Sequence, residues 1–254
     1  MLRAACGGVL ASPMSTATRS HTLTSRVPRP LLVLWDIDGT LLRGGGVGRR
    51  AMEAAFGAVL GAAIDLRGVP FHGNTDPRIV SAGLAFAGVT PEAPLVTRVI
   101  DAYLEHLRDE LSRSAPFTRL PGALELVDAF DTLGAGQGLG TGNVEAAAWM
   151  KVDAVGLGGR FRFGGFGSDH EDRGELLRMG LQRGASHIGA APEACRVLVI
   201  GDTLRDIEAA RAIGAEVVAV ATGGDSQDAL AAAEPDLVLP TLDAAWERVR
   251  ALLG

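Results

Sequence analysis

Leu31-Leu32-Val33-Leu34-Trp35 is apolar at every position and stops at Asp36. A run without alternation marks a strand buried on both faces, as in a parallel sheet. Helical spacing then takes over, predicting a helix over 48–61 and two more that begin at Asp76-Pro77 and Thr90-Pro91. At the second of these, Asp76 can cap and Pro77 suits the first helical position. The third carries Tyr103, Leu104, Leu107 and Leu111 in amphipathic register. Nothing between Gly44 and Pro116 has strand character, so 44–116 reads as a small all-helical insertion into a core of 31–43 and 117–254.

The second half alternates regularly. A helix over 123–133 leads into Gly136-Gln137-Gly138-Leu139-Gly140, which holds a strand position but is glycine-rich where aliphatic residues are usual. There follow a helix over 144–155, a Phe161-x-Phe163 alternation, a helix over 171–183, a strand over 196–200 and a helix over 204–213. A strand over 216–220, a helix over 226–233, a strand over 237–239 and a last helix complete the chain. Strands alternating with helices give an α/β fold, a Rossmann-like parallel sheet with helices on both faces. Ligands of such sheets sit beyond the carboxyl ends of the strands, where the strand order reverses.

Composition narrows the function. With 254 residues, 47% hydrophobic and 21% charged, the chain has an ordinary globular make-up, and no apolar run approaches membrane-span length. Its two cysteines, Cys6 and Cys195, are too few for a disulfide framework or a cysteine-rich zinc site. Residues 1–35 hold four arginines and no acid, against a net charge of -6 overall, so the rest of the chain is acidic. An acidic body repels nucleic acid and needs a cation to handle an anionic substrate. The stretch 1–30, rich in Arg, Ser and Thr, reads as a leader outside the fold, by composition a transit peptide, a disordered extension or an upstream start. Of the 24 basic residues only Lys151 is lysine, a bias typical of a GC-rich bacterial coding sequence. A cytoplasmic protein without nucleic-acid or membrane partners is expected.

The chemistry lies at the strand ends. The first strand runs into Asp36-Ile37-Asp38-Gly39-Thr40, two carboxylates two positions apart before a glycine that permits a tight turn. The strand over 196–200 runs into Gly201-Asp202-Thr203-Leu204-Arg205-Asp206, where Asp202 and Asp206 share one face of the first helical turn. Thr203-x-x-Asp206 also reads as a capping box, which accounts for Asp206 but not Asp202. If the topology joins these ends, four carboxylates meet in one crevice and raise one another's pKa unless a cation compensates. An all-oxygen set suits Mg²⁺, and without paired Cys or His spacing zinc is disfavoured. Thr141-Gly142-Asn143 opens a helix and makes an anion site, although Asn143 could simply cap that helix. Arg173 stands at a loop-to-helix start, as a site cation or a solvated arginine. Lys151, inside a predicted helix, reads as a surface residue.

In this order and spacing the four segments resemble the haloacid dehalogenase-like superfamily of Mg²⁺-dependent phosphohydrolases over residues 31 to about 240. The resemblance makes the insertion a mobile cap, and Gly73-Asn74-Thr75-Asp76 is similar to a cap segment of phosphoglycolate phosphatase-like members. It implies that Asp36 is the nucleophile and Asp38 the acid and base. It further implies that Thr141, Gly142, Asn143 and Arg173 bind the phosphoryl group, and that Asp36, the Asp38 carbonyl, Asp202 and Asp206 hold the metal. Arg43, His72 and Thr75 are then candidates for specificity. A lysine is commoner than arginine at the position of Arg173. The implied reaction is hydrolysis of a small phosphorylated metabolite, phosphoglycolate or a similar acid. A dehalogenase is disfavoured because a leaving halide needs no second acid. A phosphomutase with the same residues, or a non-catalytic phosphate-binding regulator, remains an alternative.

Overall fold

The structure, a computed structural model, describes residues 1–2, 29–113 and 117–254. Most of the leader reading of 1–30 therefore lies outside the described residues. At its end, Arg29 and Pro30 are docked on the core: Arg29 donates to the carbonyls of Glu193, Ala194 and Cys195, and Pro30 accepts from the Arg196 N–H.

Strand β1 (Leu31–Trp35) is the centre of a six-stranded parallel sheet in the order β5-β4-β1-β6-β7-β8. Its neighbours are β4 (Gly136–Thr141) and β6 (Arg196–Gly201), with β5 (Gly164–Phe166) beyond the first and β7 (Glu216–Val220) and β8 (Leu237–Leu239) beyond the second. The chain builds outward on one side of β1 and then on the other. The order therefore reverses at β1, and the crevice opens there at the carboxyl ends of β1, β4 and β6.

The unbroken apolar run of β1 splits by strand alternation. Val33 and Trp35 pack into one core with Leu139, Ile200 and Phe130 of α4 (Ala123–Leu133). Leu32 and Leu34 pack into the other with α6 (Arg173–His187) and α7 (Leu204–Ala212), residues Leu176, Leu177 and Ile207 among them. The first core continues into α1 (Val47–Leu60), α2 (Asp76–Phe86) and α3 (Ala93–Arg113) through Met52, Phe56, Ile79, Tyr103 and Leu107. These three helices form the cap. Where the chain enters and leaves it, β2 (Leu42–Arg43) and β3 (Thr118–Arg119) pair antiparallel, a ribbon too short to show in the sequence pattern.

The strand expected over the glycine-rich stretch is present as β4, and its glycines admit neighbouring side chains. A Cβ on Gly140 would stand 2.5 Å from the Leu177 side chain, and one on Gly136 2.7 Å from that of Leu32. The alternation at Phe161 and Phe163 is not itself a strand; β5 begins at Gly164, and the two rings serve opposite cores.

Candidate active site

The carboxyl ends of β1 and β6 bring three acids together. One carboxylate oxygen each of Asp36, Asp202 and Asp206 lies within 4.8 Å of the other two, and all three side chains are buried. Asp36 follows β1 and donates its N–H to the Ile200 carbonyl at 2.9 Å. Asp202 accepts from the Thr40 hydroxyl at 3.1 Å and from the Gly224 N–H at 2.8 Å. Gly39, at φ +95°, lets the turn after β1 approach this closely, since a Cβ there would stand 2.5 Å from Asp202 Oδ2. Asp206 Oδ2 accepts from the Thr203 N–H at 3.0 Å, as the capping-box reading expects, and also from the Thr203 hydroxyl at 2.7 Å. Its Oδ1 is left for Arg173 Nη2 at 2.6 Å, so capping and site duty coexist.

Arg173, the first residue of α6, is buried in the cluster and also stands 2.8 Å from Asp36 Oδ1. These are ion pairs rather than aligned hydrogen bonds, and its Nε has no partner. One guanidinium does not balance three buried carboxylates. Burial pushes Asp36 up to about 6 against the pull of Arg173, with Asp206 and Asp38 adding to the rise. Burial also holds Asp202 well above the carboxylate range, with Asp36 and Asp206 adding repulsion. An all-oxygen, electron-rich set this crowded fits a hard divalent cation such as Mg²⁺.

Asp38 is not in that cluster. Its Oδ2 meets Lys151 Nζ at 2.6 Å and accepts from Asn143 Nδ2 at 2.8 Å. Burial opposes its charge, but Lys151 and Asn143 prevail and hold the carboxyl below its ordinary value. Lys151 is thus a correction: the surface reading fails, and the side chain is buried. Its helix, α5 (Glu145–Ala154), buries Ala147, Ala148, Lys151 and Val152, and Lys151 is three and four residues beyond the alanines on that face. A buried ammonium needs paired acceptors, and Asp38 Oδ2 and Asn143 Oδ1, each at 2.6 Å, supply them. The spacing carried this signal, and so did composition, in a chain whose other basic residues are all arginine.

Asn143 does not cap α5. Its amide is spent on Asp38, on Lys151 and on Thr141 Oγ1 at 2.8 Å. The Val144 N–H donates instead to Asp76 Oδ2 at 2.8 Å, and the Glu145 N–H to the Ser168 hydroxyl at 3.1 Å. Asp76 is correspondingly not the cap of its own helix. Thr75 holds that position, and Asp76, in the first turn of α2, turns to the core.

A cavity of about 520 Å³ lies over these groups between cap and core. Asp36, Asp38, Thr141, Gly142, Asn143, Arg173 and Lys151 line it from the core, and Met52, Phe71, Ile79 and Tyr103 from the cap. Of the specificity candidates, Arg43 and His72 face the cavity, and Arg43 donates to the Thr222 carbonyl at 3.0 Å. Thr75 does not face it: the side chain is buried beneath the segment, its hydroxyl without a partner. Asn74 and Asp76, which the sequence marked as part of the cap segment 73–76 and not as site residues, also line the cavity, as does Arg49, which it did not mark.

A parallel sheet with acids at the switch point, a basic group against them and a cap overhead defines a class of hydrolase. Residues 31–214 match the haloacid dehalogenase-like hydrolase family, and the chain belongs to it. It is 28% identical over 238 residues to "Probable phosphatase IndB" of Dickeya dadantii, covering 87% of this chain and 94% of that one. It is 26% identical over 225 residues to the phosphoglycolate phosphatase of Mesorhizobium japonicum, covering 85% and 92%. Among solved structures, CbbY from Rhodobacter sphaeroides in complex with phosphate is similar in fold, with a TM-score of 0.66, 18% identity and coverage of 84% and 95%. A provisional β-phosphoglucomutase from Bacteroides vulgatus has a TM-score of 0.65, 19% identity and coverage of 89% and 91%. Among the described residues no helix is long and apolar enough to cross a membrane.

Proposed function

We propose that this hydrolase is a Mg²⁺-dependent phosphatase acting on a small phosphorylated acid of the phosphoglycolate type. The observation that carries this reading is the buried triad of Asp36, Asp202 and Asp206 beside Arg173, under a cavity of metabolite size between cap and core. In the first step an Asp36 oxygen attacks phosphorus, the bond to the ester oxygen breaks, and the leaving oxygen takes a proton from Asp38. In the second, Asp38 accepts a proton from water, which attacks phosphorus and returns the Asp36 carboxylate with release of phosphate.

Lys151 favours the anionic form of Asp38, which suits the second step. The proton that Asp38 gives to the leaving oxygen then arrives on the substrate, a phosphate monoester with a second pKa of about 6, and passes to the Asp38 carboxylate before the ester bond breaks. Thr141 and the backbone N–H groups of its turn, with Arg173, hold the phosphoryl oxygens; the Asn143 side chain holds Asp38 and Lys151 instead. Asp36, Asp202 and Asp206, with the Asp38 carbonyl, would hold the metal, whose double charge offsets the crowded acids and the developing phosphoryl charge. Arg43 and His72 sort the rest of the substrate at the cavity wall.

The second aspartate favours ester hydrolysis over halide displacement. A phosphomutase has a specific structural neighbour in its favour, and the same assay separates the two. Over a panel of phosphorylated metabolites with Mg²⁺, inorganic phosphate is released and small carboxylated esters rank highest in kcat/KM; EDTA abolishes release and added Mg²⁺ restores it. Isomerised sugar phosphate without phosphate release would make the protein a mutase. Undiminished release in EDTA would remove the metal from the account.

A further inference from the structure

The turn 141–144 faces the cavity, and its own contacts fix only part of it: the Asn143 N–H and side chain donate to Thr141 Oγ1 at 3.3 and 2.8 Å. Asn143 otherwise spends its side chain on Asp38 and Lys151, and Val144, the residue that opens α5, has no side-chain acceptor for the free N–H groups of the helix start. The core holds the Asn143 carbonyl through the Gly167 N–H at 2.8 Å, and the groups on either side of Asn143 are held by the cap. The Asp76 N–H donates to the Gly142 carbonyl at 2.8 Å, and Asp76 Oδ2 accepts from the Val144 N–H at 2.8 Å. One cap residue thus grips the turn on both sides of Asn143.

The surroundings are shaped to receive that grip. A Cβ on Gly142 would strike the Asn74 carbonyl and stand 3.1 Å from Thr75 Cα, and one on Gly167 would strike the Gly142 carbonyl and stand 3.2 Å from Thr75 Cβ. Gly142 therefore leaves room for the segment 73–76 to lie directly on the core, and Gly167 leaves room for the turn beneath it. Arg205 hydrogen-bonds the Asn74 side chain, and Arg173 Nη1 donates to the Gly73 carbonyl at 3.4 Å. Thr75 is buried with an unpartnered hydroxyl, an unfavourable placement that the contacts on either side of it must outweigh.

We propose that Asp76 is a positioning residue: carried on the cap, it sets the turn 141–144 in the shape that receives phosphate, so that the anion site is complete only while segment 73–76 is seated. This rests on the phosphatase reading for the identity of the anion. Cap closure then does more than cover the substrate. It finishes the phosphate site, and lifting the segment leaves the Val144 N–H and the Gly142 carbonyl without partners.

The test compares Asp76→Ala with Asp76→Asn in the full chain. Asn keeps an oxygen acceptor for the Val144 N–H, whereas Ala has none. In Asp76→Ala, KM and the inhibition constant of inorganic phosphate rise about tenfold or more while kcat falls less; Asp76→Asn stays within about threefold of wild type on each. Equal losses in the two variants, no change in Asp76→Ala, or a fall in kcat with KM and phosphate inhibition unmoved would overturn the proposal. Hydrogen exchange at the Val144 amide reads the same contact without catalysis. It accelerates in Asp76→Ala and not in Asp76→Asn, and unchanged exchange in Asp76→Ala also overturns the proposal. A wild-type protein that hydrolyses no phosphate ester refutes the phosphatase reading instead, and the exchange comparison still decides the role of Asp76 in the turn.

Discussion

Asp36→Asn loses turnover by on the order of 10⁴-fold or more, because the amide cannot form the bond to phosphorus that the proposed mechanism gives the carboxylate. The same substitution stabilises the metal-free protein. Burial raises the folded pKa of Asp36 to about 6, against 3.8 for an ordinary aspartate. Between these values the folded state binds more protons than the unfolded one. The stability contributed by protonated Asp36 is therefore full below about pH 4 and is lost as pH rises towards 6. Asn stays neutral throughout. Asp36→Asn is then more stable than wild type at pH 7, by up to about 3 kcal/mol for a two-unit shift, and the difference closes below pH 4. Denaturation of both proteins in EDTA across this range checks it. Retained turnover removes Asp36 as nucleophile, and a variant unstable at pH 7 removes the electrostatic crowding.

Lys151→Met keeps the aliphatic stem but deletes the ammonium between Asp38 and Asn143. Stranding one partner of a fully buried pair costs about 3–5 kcal/mol. Here the Asp38 side chain is 45% exposed towards the cavity while Lys151 is 6% exposed, so Asp38 can rehydrate. A loss of about 1–3 kcal/mol is expected. The effect on rate is larger. Freed from Lys151 and no longer braced through Asn143, Asp38 leaves the geometry that proton transfer needs, and kcat falls by about 10²–10³-fold. Lys151→Arg does not recover the rate, since a planar fork cannot replace a compact ammonium held at 2.6 Å by two oxygens. Steady-state kinetics with a denaturation curve decide the matter, and a kcat for Lys151→Met within about threefold of wild type contradicts this role.

What could be read from the sequence was what short-range patterns encode. The apolar run of β1, the 3.6-residue spacing of the cap helices and the Thr203-x-x-Asp206 signature each depend on neighbours within a few residues. They led to the right elements, and the parallel-sheet rule placed Asp36 beside Asp202. What stayed hidden depends on partners far along the chain. Asp76 looks like a cap for its own helix, because the sequence cannot show that Val144 lies within reach. For Lys151 the spacing hinted at burial, but its acceptors, Asp38 and Asn143, appear only in the fold. Thr75 sits beside residues that do face the cavity, yet its own side chain points into packing. The glycines of β4 weaken a strand by composition and make sense only once Leu177 and Leu32 are packed over them.

Acid quench of the wild-type protein during turnover with Mg²⁺, followed by borohydride reduction and peptide mass spectrometry, looks for the phosphorylated aspartate itself. An acyl phosphate on residue 36 is reduced to homoserine, and that conversion at Asp36 alone, absent in Asp36→Asn, is the outcome expected here. The label on another residue, with Asp36 recovered unmodified, would contradict the account.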